Sequence, residues 1–225
     1  MKKIIQAILL IGLTISFAQA SGKQLPEYSE EGLRLVPDSG MAAVYAKPGV
    51  DLAAYSQVKL MNPFVAFEDG WERDQRSNIT SAFRVTSSDV QRIKKDLANE
   101  FRLVFTEVLE KGGYAVVDAV SDNVLVLRPA IIDLKVNAPE TARSGPAMAY
   151  VDSVGEMTLY LELYDAVTEE LIAKALDRKV DPANKTYYTW NHTVSNQQVA
   201  DQILRGWADI LLKALDEARA VPAKH

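Results

Sequence analysis

Two patterns of apolar and polar positions divide this chain, one with helical spacing and one with strict alternation. From Ser88 the helical pattern holds: Val90, Ile93, Leu97, Phe101, Val104, Phe105 and Val108 fall on one face, with charged residues opposite. Thr86 to Ser88 offer N-cap hydroxyls, Asp89 is acidic in the first turn, and Gly112-Gly113 stops the helix where a left-handed cap is wanted. A second helix closes the chain. Ser195 and Gln198 make its capping-box pair, and Val199, Ile203, Trp207, Ile210, Leu211, Ala214, Leu215 and Ala218 lie on or near its apolar face, to about Ala220.

The clearest alternation runs from Glu156 to Asp165. Met157, Leu159, Leu161 and Leu163 point one way, and Glu156, Thr158, Tyr160, Glu162 and Tyr164 the other. A turn through Val167-Thr168-Glu169 leads into a hairpin partner, Leu171 to Val180. Earlier strands are expected at Gln57 to Asn62, Tyr114 to Asp118 and Asn123 to Val136. Pro129 cannot donate to a ladder, so it requires an edge or a bulge, with Arg128 beside it turned outward. Alternation of this kind belongs to antiparallel sheets covered on one side. The expected fold class is therefore α+β, a mainly antiparallel sheet of about five strands with two long helices packed on one face.

Between these elements lie three long connections, 63–86, 138–153 and 181–194, and loops of such length are usually functional or mobile. The expected organisation is a signal peptide at 1–20, an irregular leader at 21–41 with Pro26, Gly32, Pro37 and Gly40, one α+β domain at 42–220, and a disordered tail at 221–225. The signal peptide reading rests on Lys2 and Lys3, the apolar run Ile4 to Phe17, and the small-x-small site Ala18-Gln19-Ala20. A membrane-spanning helix needs roughly 20 apolar residues, and this run has 14. Export to the periplasm with cleavage after Ala20 is the resulting expectation, with no further transmembrane segment.

Composition narrows the partners. Removal of residues 1–20 takes two lysines with it, so the net charge moves from −5 to −7. An acidic balance argues against nucleic acid and anionic membrane surfaces, which both require clustered Lys and Arg. The chain has no cysteine, which excludes disulfides, thiolate chemistry and a lipid anchor at cysteine. His192 and His225 are its two histidines, and there is no HExxH, GxSxG, P-loop, dinucleotide or calcium-loop spacing. No cofactor or metal is expected. The local feature with most information is the polar stretch carrying Tyr187, Tyr188, Trp190 and His192, which together with Trp71 offers aromatic surface for a ligand or a protein partner. The same rings serve equally well as cover for the end of the sheet.

Several segments resemble a group of bacterial envelope proteins classed as a domain of unknown function, most of whose members are lipoproteins by sequence. The likeness is carried by Tyr45-Ala-Lys-Pro-Gly-Val-Asp-Leu-Ala-Ala-Tyr55, Gly113-Tyr114 with the strands after it, Asp165-Ala-Val-Thr-Glu-Glu170 running into Ala173, and Trp207-Ala208 with Leu215-Asp-Glu-Ala-Arg219. Where that group carries a lipid-bearing cysteine this chain has Ser21, so the resemblance implies a freely soluble periplasmic form. It brings no catalytic residue. Three readings stay open: a non-enzymatic interaction or accessory module meeting another envelope protein, a small-molecule or glycan binder using the aromatic loop, and a hydrolase relying on His192 with a nearby carboxylate.

Overall fold

A computed structural model describes residues 25–77, 86–136, 154–180 and 196–220. Its strands in chain order are β1 (Arg34–Leu35), β2 (Ala43–Ala46), β3 (Gln57–Leu60), β4 (Phe64–Phe67), β5 (Ala115–Val116), β6 (Val124–Val136), β7 (Val154–Asp165) and β8 (Leu171–Val180). Its helices are α1 (Trp71–Ser77), α2 (Ser87–Lys111) and α3 (Asn196–Ala220). All the strands join one sheet in the order β1-β2-β8-β7-β6-β3-β5, with β4 also paired to β6.

This corrects the expectation of about five mainly antiparallel strands with two long helices. Among the described residues the sheet has eight strands and is mixed, and three α-helices accompany it. Strands of two or four residues are too short to display an alternation, so β1, β2, β4 and β5 leave no clear pattern in the chain. Parallel pairing has its own cause. After β3 and β4 the chain returns to the starting end through α2, a crossover long enough for β5 and β6 to run parallel to β3, and for β6 to run parallel to β4. The stretch 63–86, expected to be a connection, thus contributes β4 and α1 among its described residues.

Pro129 is accommodated by the same arrangement. On one edge of β6, β3 reaches Leu127 and β4 begins at Ala130, so Pro129 stands in the interval between two partner strands. Arg128 is turned to solvent on the face away from the helices.

The core lies between the sheet and α2 and α3. Phe101 and Phe105 stack at 3.9 Å between ring centres beneath α2, and Leu204, Trp207, Leu211 and Leu215 line the inner side of α3. Against them stand Leu125, Leu127 and Ile131 of β6 and Met157, Leu159 and Leu161 of β7, all buried. The opposite face carries the segment read as an irregular leader. There Leu33 is 3% exposed, the Tyr45 hydroxyl donates to the Pro26 carbonyl at 3.1 Å, and Lys174 pairs with Glu31 at 2.5 Å. Among the described residues no helix is long and apolar enough to cross a membrane.

The start of α2 supplies a pH-dependent element. The Thr86 hydroxyl accepts from the Asp89 amide at 3.2 Å while the Asp89 carboxylate accepts from the Thr86 amide at 3.0 Å, a reciprocal capping box. The Thr86 side chain, then its backbone N–H and Arg92, hold the Asp89 carboxyl below the usual carboxylate range, outweighing the effect of burial. A depressed folded-state pKa stabilises fully above the unfolded value of about 3.9, and the stabilisation is lost as pH falls through the folded value. Asp89→Asn is therefore expected to melt at a lower temperature than the parent at pH 7. The gap should narrow at pH values below 4, as measured by thermal unfolding across that range.

Candidate functional site

One region of the core is left open by small side chains. Ala173 and Ala175 of β8 face α3, and their neighbours in register are Ala46 and Val44 of β2 on one side and Leu163 and Leu161 of β7 on the other. Alanine at three of these positions keeps the sheet surface low, while α3 rests on the buried Leu211 and Leu215 beside it. The result is a cleft of about 350 Å³ between helix and sheet. Ile210 and Ala214 of α3 line it on one side and Val36 and Met41 of the β1–β2 connection on the other, with Leu52 also in the lining.

Past Ala175 along β8, behind the lining of the cleft, stands a buried carboxylate. Asp177 lies on the same face of β8 as the two alanines and is 5% exposed. It accepts a hydrogen bond from the Trp207 indole N–H at 2.7 Å and from the Ala42 amide at 3.0 Å, and Lys179 approaches it to 2.9 Å. Sheet, helix and connecting loop are thereby tied at one point. The loop itself turns through two left-handed residues, Asp38 (φ 52°) and Gly40 (φ 77°), a conformation that glycine adopts freely and aspartate tolerates. Gly40 is packed against Ile210, which brings the loop down onto α3.

The charges around the cleft sit at its mouth. Lys213 and Glu217 lie 3.6 Å apart with side chains 76% and 68% exposed. Lys174 also borders the cleft but sends its ammonium to the opposite face of the sheet, onto Glu31 and over the Tyr45 ring. An aliphatic floor with charges confined to the rim can desolvate an apolar ligand and orient a polar end. It places no general acid or base against the bound part.

The outer face of the sheet holds a second polar group. Glu162 accepts from the Tyr160 and Tyr164 hydroxyls at 2.8 and 2.9 Å, with Arg128 at 3.9 Å. Burial first, and then the bond to Glu162, push both phenols above their ordinary pKa. The carboxylate and both hydroxyls are thus engaged with one another, in a network along one face of β7. Among the described residues there is no group of three or more His, Cys, Asp or Glu side chains able to hold a metal ion.

Of the residues singled out in the sequence, Trp71 opens α1 and is 9% exposed. Its ring stacks on Phe67 at 4.1 Å with 7° between planes, as part of the core. Tyr187, Tyr188, Trp190 and His192 lie outside the described residues. The cleft residues carried a faint signal in the chain. Ala173 and Ala175 recur at the inward positions of a predicted strand where leucine or valine would normally pack, and the pairing of that strand with β2 gave no mark at all.

A family model described as "Protein of unknown function (DUF3313)" matches residues 25–211. Three solved structures are similar to the chain. A PelC dodecamer from Paraburkholderia phytofirmans shares 14% identity over 75% of this chain and 95% of that one, with a TM-score of 0.36. A DUF4136 family protein from Bacteroides thetaiotaomicron shares 12% over 75% and 95%, also with a TM-score of 0.36. A hemagglutinin homolog from Helicobacter pylori shares 11% over 77% and 90%, again with a TM-score of 0.36. Likenesses this loose say nothing of what the present chain binds. No curated protein matches the sequence.

Proposed function

On the premise that the chain belongs to the DUF3313 family of proteins of unknown function, we propose that it is a non-enzymatic binding module of the bacterial cell envelope that takes an apolar ligand in the cleft beside α3. The observation that carries this reading is the alanine floor. Ala46, Ala173 and Ala175 leave about 350 Å³ open between α3 and the sheet, and apolar space of this kind favours an apolar occupant over water.

The address is part of the proposal and rests on the chain alone. Lys2 and Lys3, the run to Phe17 and Ala18-Gln19-Ala20 support export with cleavage after Ala20. Ser21, at the position where the resemblance carries a lipid-bearing cysteine, supports a soluble periplasmic form without an anchor. Both points are tested on one preparation. The protein released by osmotic shock is expected to have the mass of a chain beginning at Ser21, and to raise the fluorescence of N-phenyl-1-naphthylamine. Ala214→Phe, at an exposed position on the cleft wall, should weaken dye binding at least about tenfold by removing roughly the transfer energy of one buried side chain, with melting unchanged. Equal dye binding by the variant would sink the cleft as the site.

A further inference from the structure

We infer that the occupant of the cleft is a single unbranched alkyl chain, the tail of a lipid laid along α3, an inference that rests on the reading of the cleft as the binding site. The space of about 350 Å³ is at the small end of the range for ligand sites, where a slender group fits better than a broad one. Its shape is that of a trough. Ile210, Ala214 and Glu217 follow one another at i, i+4 and i+7 on one stripe of α3, which gives the trough a length of about 10 Å along the helix axis.

Below that stripe the floor is a strip of methyl groups from Ala46, Ala173 and Ala175, bordered by Leu161 and Leu163. The two ends differ in character. Toward one, past Ala175 along β8 and behind the lining, the Trp207–Asp177–Ala42 hydrogen bonds leave the polar atoms already partnered, so a hydrocarbon terminus meets no unsatisfied donor there. At the other, the Lys213–Glu217 pair is exposed and separated by 3.6 Å, an ion pair weak enough to give up one member to a charged head. A floor of methyl groups and a charged, exposed rim place tail and head.

The test is displacement of bound N-phenyl-1-naphthylamine by two series of increasing chain length, saturated fatty acids and single-chain phosphatidylcholines. Each added methylene is expected to tighten binding about fourfold, with a plateau once the chain outruns the roughly 10 Å of the trough. Ala214→Phe should weaken the longer chains at least about tenfold while the protein melts as the parent does. The series that binds more tightly identifies a free acid or a phospholipid as the source, and either order supports the alkyl chain. Dye displaced equally by short and long chains, or as well by a compact cage hydrocarbon such as an adamantane, overturns the inference and leaves the cleft a general apolar site. A parent protein that binds no dye overturns the reading of the cleft itself.

Discussion

Asp177→Ala is expected to lower the free energy of unfolding by about 2–4 kcal/mol, because it leaves the buried Trp207 indole N–H and the Ala42 amide without their acceptor. For a chain of this length the melting temperature should fall by roughly 10 °C. Asp177→Asn keeps an acceptor of the same shape and loses only the charge assistance, so about 1 kcal/mol is expected for it. Urea unfolding with an unchanged slope is the measurement. The comparison of the two variants separates a lost acceptor from a lost volume, and a midpoint that hardly moves for alanine would mean that water reaches the indole.

The other large effect lies on α2. Phe101→Ala is expected to cost about 3–5 kcal/mol, the range for removing a buried aromatic ring. Phe101 has no exposed surface and stacks on Phe105 one turn away, which leaves little room for the neighbours to collapse into the space. Two residues on, Leu103 is 64% exposed on the same helix, and Leu103→Ala should stay within about 0.5 kcal/mol. Chemical denaturation of the pair tests the orientation of α2 directly. Similar losses for both would mean that α2 presents a different face to the sheet.

On the proposed reading, stability and binding are opposed at the cleft. Interiors reach the density of organic crystals by interdigitating large and small side chains, yet here small residues on β2 and β8 lie side by side beneath a helix with an exposed alanine, Ala214. Local departures from good packing are commonest where a site has to be kept. Elsewhere the molecule follows ordinary rules. Glu107 is held down to about 2 by Lys111 and Arg205, and with that pairing it links α2 to α3 at their surface.

What the chain determined by itself is whatever depends on neighbours a few residues away. The span Ser87–Lys111 follows from the Thr86–Asp89 box, the helical period of Val90 to Val108 and the glycine pair behind it. The β7–β8 hairpin follows from alternation on both sides of a short turn, where the Asp165 carboxylate accepts from the Val167 and Thr168 amides. Only the tertiary structure decided the order and mixed direction of the strands, because pairing energy is gained between segments far apart, and a strand of two or four residues has no period to display. Trp71 shows the same limit in one residue: an aromatic in a polar stretch reads alike as surface or as core until Phe67 is placed against it. The cleft is the extreme case. Asp177 meets Trp207 across 30 positions and Ala42 across 135, and the floor exists because the alanines of β8 came to lie beside Val44 and Ala46 of β2. A cavity is a property of what surrounds it, and no local pattern records space that is left unfilled.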